Sequence, residues 1–242
     1  MKRILFIGAH PDDETFFASG TFAKYREQDV EIHVICATRG EQGKCGGFCT
    51  PEELPAVRER ELRNATDAMG GAYIEFLPYL DRKLGEAPIE EMRMQLVAAI
   101  RRIRPDVLIT FDPHGANQHP DHIAISRFVS DALPTAADPR WLPEAGAPYQ
   151  VDRLLWTPPT ILFRLPAEAD PRELPGFDFV IDVEAWREQK TKAFEAHRTQ
   201  FPGLKKLFFD DPNGQRTFGV EAFRLGAGRR PARVPSGDLF AE

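Results

Sequence analysis

The chain alternates between short apolar runs and longer segments of helical period. Ile4 to Ile7 is a continuous apolar run bounded by turn residues, which predicts a strand buried on both faces. The periodic segment Thr15 to Gln28 predicts the helix that follows it. Val30 to Ala37 alternates and is rich in β-branched residues, a second strand. Leu54 to Met69, stopped by Gly70-Gly71, places Leu54, Val57, Leu62, Ala65 and Met69 on roughly one helical face. Ala72 to Leu77 is a third strand, Ile89 to Ile103 a helix that ends in basic residues before Pro105, and Asp106 to Phe111 a fourth strand. Ile123 to Leu133 is again helical. Four alternations of strand and helix argue for an α/β fold with a parallel sheet, and the expected architecture is Rossmann-like: doubly wound, mostly parallel, with helices on both faces.

The pattern loosens downstream. Residues 134 to 176 hold nine of the 21 prolines, yet include Trp141, Leu154-Leu155-Trp156 and Ile161-Leu162-Phe163, too apolar for a flexible linker. This stretch reads as an irregular, packed covering segment with one or two strands. Phe177 to Val183 reads as a further strand, Glu184 to Gln200 as a helix, and the remainder to Leu225 as mixed loop with a short strand. Repeats and low-complexity tracts are lacking, and 242 residues with 42% hydrophobic content suit a single domain, 1 to 242.

A formal charge of -6 leaves no electrostatic footprint for nucleic acid, so a small-molecule partner is expected. The basic stretch Arg229-Arg230-Pro231-Ala232-Arg233 reads as solvated tail. Three cysteines do not make a disulfide framework, which favours a reducing compartment, the cytoplasm. Cys36, Cys45 and Cys49 have poor spacing for a thiolate metal site and lack a fourth ligand, so an ordinary loop is the better reading. Lys2-Arg3 before Ile4 imitates a signal peptide, but the apolar run is too short, and no segment reaches membrane-spanning length.

Two loops carry the candidate chemistry. The first strand ends in Ala9-His10-Pro11-Asp12-Asp13-Glu14, and the fourth is followed by Asp112-Pro113-His114-Gly115-Ala116-Asn117-Gln118-His119-Pro120-Asp121-His122. Pro120 suits the first helical position, which makes His119 the cap residue and sets His122 at the third. A capped helix with an acidic first turn explains the first loop equally well on its own. In the commonest doubly wound order the first and fourth strands are neighbours, so the two loops meet. Two imidazoles plus one carboxylate is a ligand set that leaves a coordination position on zinc open. A dinucleotide site competes poorly, since G-x-G-x-x-G is missing and Asp12 and Asp13 repel a pyrophosphate. His33 reads as structural, and His114 is a lesser alternative to His122. His197 shares a helical face with Ala193 and Phe194, so core packing competes with site lining. Glu14 reads as a first-turn charge or a hydrogen-bond acceptor, and Glu41 as a contact to a ligand or to its own loop.

Taken together, Ala9 to Glu14, Thr38-Arg39-Gly40-Glu41, Arg58 with Glu61, and His119-Pro120-Asp121-His122 resemble the LmbE-like, or PIG-L, family of zinc-dependent N-acetylglucosaminyl deacetylases; Lys192 to Gln200, with His197, resembles a later motif of that family. The resemblance implies that His10, Asp13 and His122 bind Zn2+, that Asp12 is the general base, and that His119 assists at the oxyanion or leaving group. It implies that Arg58 and Asp81 hold the sugar. Mycothiol-type members carry tyrosine where this chain has Asn117, so help from a phenol is not expected. A homo-oligomer, trimer or hexamer, is a further implication of the family.

Amide hydrolysis makes matching demands. A Lewis acid is needed to polarise the carbonyl and to bring the pKa of water towards about 7. A carboxylate beside a metal ligand, itself uncommitted, can accept the water's proton, and Asp12 next to Asp13 offers one of each. His119 suits stabilisation of the oxyanion, and Asp121 can orient an imidazole. The expected activity is a hydrolase removing the N-acetyl group of an N-acetylglucosamine-type amino sugar. An amidase cutting a larger acyl group from a glucosamine conjugate and a non-catalytic, metal-dependent sugar-binding protein are the alternatives.

Overall fold

In the computed structural model, which describes residues 1–158, 170 and 176–242, the N-terminal apolar run forms β1 (Arg3–Gly8). Ile4, Leu5, Phe6 and Ile7 are at most 1% exposed, as an unbroken apolar strand requires when both faces are covered. Next to it lies β4 (Val107–Phe111), equally buried and parallel, with Ile4 opposite Val107 and Phe6 opposite Ile109. On the other side of β1 come β2 (Glu31–Cys36) and β3 (Tyr73–Phe76), both parallel. β5 (Arg153–Thr157) extends the parallel set beyond β4. β6 (Phe179–Asp182) and β7 (Val220–Gly228) complete the order β3-β2-β1-β4-β5-β7-β6, with β7 antiparallel to both of its neighbours. The sheet is therefore Rossmann-like and mostly parallel, with β1 and β4 side by side near its middle.

Helices α1 (Asp13–Arg26), α2 (Leu54–Ala68) and α6 (Arg187–Ala196) pack on one another, and α3 (Ile89–Ile103) packs on α5 (Pro120–Ala137). α2 and α3 follow their periodicity closely. α1 starts two residues earlier than its pattern predicts, because Asp13 and Glu14 suit the positive end of the helix dipole. It ends earlier too, since the turn beyond it passes through Asp29 at φ 58°. Phe17, Phe22 and Tyr25 are all buried, so α1 is covered on several sides and shows little amphipathic contrast.

Four expectations need correction. α5 runs on to Ala137 through Pro134, because a proline in the last turn forfeits only one hydrogen bond. Leu154, Leu155 and Trp156 belong to the interior strand β5 and do not cover the fold from outside, while Ile161-Leu162-Phe163 lie outside the described residues. The helix expected over 184 to 200 is a short 3-10 turn, then α6, and it stops at His197, whose backbone leaves helical geometry. The presumed mixed loop holds two further helices, α7 (Phe201–Phe208) and α8 (Pro212–Thr217), besides the nine-residue β7; a four-residue turn, α4 (Gly115–Gln118), precedes α5.

β7 also ties down the helix that begins at the candidate site. Glu221, buried at 4% exposure, accepts from the backbone N–H groups of Gly20 and Thr21 in α1 and pairs with Lys190 of α6 at 2.7 Å. Removing one member of such a pair strands a buried charge, whereas replacing both leaves none. Glu221→Leu is expected to cost about 3–5 kcal/mol in urea unfolding, and Glu221→Leu with Lys190→Met appreciably less. Equal losses in the two variants would show that the pair is not the linkage.

Candidate active site

The turn after β1 is organised by Asp13. Its Oδ2 accepts from the backbone N–H groups of Ala9 and His10, 2.8 Å each, which closes the chain over the first turn of α1. Its Oδ1 faces outward, 3.3 Å from His122 Nε2. Asp12, one residue earlier, sits at φ 124°, a region that residues with a β-carbon rarely adopt.

After β4 the chain makes the short turn α4 and enters α5 as its sequence predicts, with Pro120 at the first position and His119 as cap. His119 Nδ1 accepts from the Asp121 backbone N–H at 3.2 Å, which leaves Nε2 to carry the ring proton. The His122 ring stacks on Phe111 with centroids 3.9 Å apart, and its Nδ1 donates to the Gly115 carbonyl at 3.2 Å. A carbonyl can only accept, so His122 turns the lone pair of Nε2 toward the site.

The two loops converge because β1 and β4 are adjacent. His10 Nδ1 lies 3.3 Å from His122 Nε2 and 3.9 Å from Asp13 Oδ2. These separations are close to the edge of about 3.4 Å of a tetrahedron with metal bonds of about 2.1 Å. The far nitrogen of His10, Nε2, is 3.1 Å from both Asp121 Oδ2 and Asp81 Oδ1. That contact holds a proton on Nε2, so once Nδ1 gives up its own proton it and His122 Nε2 can both turn lone pairs toward a cation in the gap. His10, His119 and His122 offer ligand atoms within 4.8 Å of one another, and so do His10, Asp81 and Asp121. The first group faces the shared gap. The second lies on the protonated side of His10 and its carboxylates already accept backbone N–H groups, so we read it as holding the ring in place.

Electrostatics agree with a cation site. Burial would depress His10, but its bonds to Asp121 and Asp81 and the charge of Asp13 push it up to about 10. Burial would raise Asp13, but His122 and His10 hold it well below the usual carboxylate range. Asp12 is pushed up to about 6, by burial and by the Asp13 charge, against the pull of Arg58. His119 is lowered, first by burial and then by the neighbouring imidazoles His10 and His122.

The loops around this centre are stitched together by carboxylates that accept from backbone N–H groups. Asp121 takes those of Arg82 (2.5 Å) and Leu84 (3.2 Å), Glu41 takes that of Asp81 (2.7 Å), and Asp81 returns the contact by accepting from Gln42 (3.0 Å). Asp81 is thus buried against His10 and the loop after β2, yet it still lines the cavity. Glu41 is bound to the loop and is not among the cavity-lining residues. Arg58, 3% exposed, bonds the carbonyls of Gly40 and Pro11 and reaches the Asp12 carboxylate at 3.1 Å. Arg58 also lines the cavity, while its Nε is buried and lacks a partner among the described residues. Gly40 makes this possible: at φ 64°, a β-carbon there would lie 1.9 Å from Arg58 Nη1.

The cavity, about 290 Å³, opens over His10, Asp12, Asp13, His119 and His122. Asn117 lines it, as do Phe16, Phe17, Gln200 and Leu204, which sequence reasoning did not single out. Phe16 and Phe17 fall three and four residues after Asp13, one helical turn on, a spacing that could have flagged them. Leu204, on α7, gave no such signal. His197 is fully buried beneath the first turn of α1 and does not border the cavity, and His114 is 81% exposed beside Asp112. Cys36, the last residue of β2, is buried, and Cys45 and Cys49 are free thiols on the loop after it.

Comparison with known proteins agrees with this geometry. The chain is 30% identical over 285 residues to the 1D-myo-inositol 2-acetamido-2-deoxy-alpha-D-glucopyranoside deacetylase of Rhodococcus jostii, covering 99% of this chain and 97% of that protein. The crystal structure of the conserved protein TT1542 from Thermus thermophilus superimposes with a TM-score of 0.72 at 28% identity, covering 97% of this chain and 98% of that one. N,N'-diacetylchitobiose deacetylase from Pyrococcus horikoshii has the same fold, with a TM-score of 0.73 at 24% identity over 93% of this chain and 83% of that one. The sequence profile of the GlcNAc-PI de-N-acetylase (PIG-L) family matches residues 5–133, the segment that holds both converging loops, and the chain belongs to that family.

Proposed function

We propose that this protein removes the N-acetyl group from an N-acetylglucosamine-type amino sugar, with zinc held by His10, Asp13 and His122. The observation that carries the proposal is the gap into which His10 Nδ1, His122 Nε2 and Asp13 point, with the Asp12 carboxylate beside it in an open cavity. Bound zinc supplies the Lewis acidity that polarises the amide carbonyl and acidifies water.

The chain's own residues do the rest. Asp12 lies in the cavity but is not spent on the ligand set; it accepts the water's proton and passes it to the amide nitrogen as the C–N bond breaks, releasing acetate and the amine. His119, neutral and protonated on Nε2, donates to the oxyanion as it develops. Asp121 fixes the orientation of His10 through Nε2, with Asp81 on the same side. Arg58 steadies the Asp12 carboxylate and lines the cavity where the sugar would sit. At about 290 Å³ the cavity lies just below the range of about 300 to 1,000 Å³ for small-molecule sites, which suits one sugar unit with its aglycone outside. The relatives' substrate, N-acetylglucosamine joined to inositol, is the first to try.

The whole chain acts as one domain in this reading, since β7 is inserted between β5 and β6 and the buried Arg153 of β5 bonds the carbonyls of Leu239 and Ala241 near the C-terminus. No helix among the described residues is long and apolar enough to cross a membrane. Three free thiols support a reducing, cytoplasmic setting.

Zinc content measured beside acetate release tests the assignment. Asp13→Ala is expected to lose zinc and, with it, activity. Asp12→Ala should keep zinc and lose turnover by roughly a hundredfold to ten-thousandfold, the usual contribution of a general base. Metal lost from Asp12→Ala and kept by Asp13→Ala would exchange the two roles. Both variants staying active would end the hydrolase reading of this turn.

A second measurement addresses the ring-holding carboxylate. Asp121→Ala is expected to weaken zinc affinity by about 10- to 100-fold in chelator competition, and His119→Ala to lower turnover with affinity unchanged. Unaltered zinc affinity in Asp121→Ala would remove its part in orienting His10.

A further inference from the structure

We infer that Glu14 and His197 are positioning residues for Asp12: they hold the Pro11–Asp12 peptide in the backbone geometry that aims the Asp12 carboxylate into the cavity. The inference rests on the reading of Asp12 as general base.

Asp12 has φ 124° and ψ -20°, a conformation that a residue with a β-carbon keeps only when its surroundings over-determine it. Here the peptide that precedes it is gripped at both ends. Its carbonyl, that of Pro11, accepts from Arg58 Nη2, and its N–H, that of Asp12, donates to Glu14 Oε2 at 3.1 Å. Glu14 is 1% exposed, and its second oxygen is also engaged. Oε1 accepts from Thr15 Oγ1 at 2.5 Å and lies 3.2 Å from His197 Nε2, which must bear the proton for a carboxylate to accept it.

His197 stands at the end of α6, is fully buried, and touches Thr15 Oγ1 at 3.1 Å; its Nδ1 has no partner among the described residues. Its only polar side-chain contacts described are therefore with the first turn of α1. With Glu14 fixed from behind, the Asp12 N–H keeps its acceptor and the peptide cannot turn over. Without Glu14 the N–H loses that acceptor, φ is free to return to the negative range, and the carboxylate swings away from Arg58 and the cavity. Neither Glu14 nor His197 borders the cavity, so neither touches substrate in this account.

The experiment uses the zinc-loaded full chain. kcat, KM, zinc per chain and melting temperature are measured with 1D-myo-inositol 2-acetamido-2-deoxy-α-D-glucopyranoside and with N,N'-diacetylchitobiose. Glu14→Ala is expected to lower kcat by about 10- to 100-fold, as a displaced catalytic group does, with KM and zinc content nearly unchanged. Glu14→Gln keeps an oxygen for the Asp12 N–H and should retain most of kcat. His197→Ala should fall between them, and His197→Gln, which can still donate to Glu14, should recover.

The decisive comparison is made without Asp12. Residues acting through one group are non-additive, so Asp12→Ala with Glu14→Ala should turn over no more slowly than Asp12→Ala alone. The same fractional loss in both backgrounds overturns the inference, as does a wild-type kcat in Glu14→Ala and His197→Ala, or a Glu14→Gln as slow as Glu14→Ala. If Glu14→Ala fails to fold or to hold zinc, Glu14→Gln and His197→Gln carry the test: a kcat near wild type in both supports it, and a large loss in both overturns it. Asp12→Ala that keeps zinc and full turnover defeats the base reading and this inference together. Asp12→Ala inactive beside fully active Glu14→Ala and His197→Ala defeats the inference alone.

Discussion

Parallel pairing of β1 with β4 is the contact on which the site depends. Apart from Arg3 and Thr110 both strands are apolar and bury almost all of their surface, and each fully covered leucine, isoleucine or phenylalanine contributes about 1.5–3 kcal/mol. That drive places them inside the sheet, and the parallel register sends both chains out at the same edge. Consequently the turn holding His10 to Glu14 and the loop holding His119 to His122 open on one crevice, although His10 and His122 are 112 residues apart in sequence. In an open α/β sheet this is where the strand order diverges and helices leave on opposite sides. The core does not recognise a ligand, but it fixes the distance between the groups that do.

Concentrating Asp12, Asp13, Glu14, Asp81 and Asp121 in a half-closed crevice is costly, because each buried carboxylate gives up hydration worth several kcal/mol. The structure offsets this with donors already in place. Asp13, Glu14, Asp81 and Asp121 each accept at least one backbone N–H, and His10 lies between Asp13 on one side and Asp81 with Asp121 on the other. The same bonds fasten together loops that would otherwise be independent. Glu61 of α2 does this at longer range by accepting from the backbone and hydroxyl of Thr199, just beyond His197. Charge compensation and loop positioning are thus one set of interactions, and a carboxylate-rich site with two opposed imidazole nitrogens is left to receive a cation.

The local elements were legible to the extent that their signals are local. Unbroken hydrophobicity marked β1, period-3.6 patterning marked α2 and α3, and Pro120 marked the start of α5 with His119 as its cap. Signals failed where an element owes its existence to distant partners. Strands were expected within the proline-rich stretch and within the loop to Leu225 but not placed, because β5 and β7 pair with each other across about seventy residues. α7 and α8 are short and are held largely by the aromatic cluster of Phe194, Phe208 and Phe218, whose members come from separate elements.

For the site, the same division holds. The strand-to-helix turn at His10 to Glu14 and the capped helix start at His119 to His122 follow from local sequence, because a buried strand must end in a turn and proline suits the first position of a helix. Which groups meet there was decided by the tertiary structure. Arg58 reaches Pro11 and Asp12 only because Gly40 leaves room for it, Glu41 turns to Asp81 and away from the cavity, and His197 closes beneath Glu14 from 183 residues away. Backbone periodicity is encoded residue by residue and can be read in a short window. The partner of a buried polar group is chosen by packing over the whole chain, since each such group must find whichever donor or acceptor the fold brings within about 3 Å.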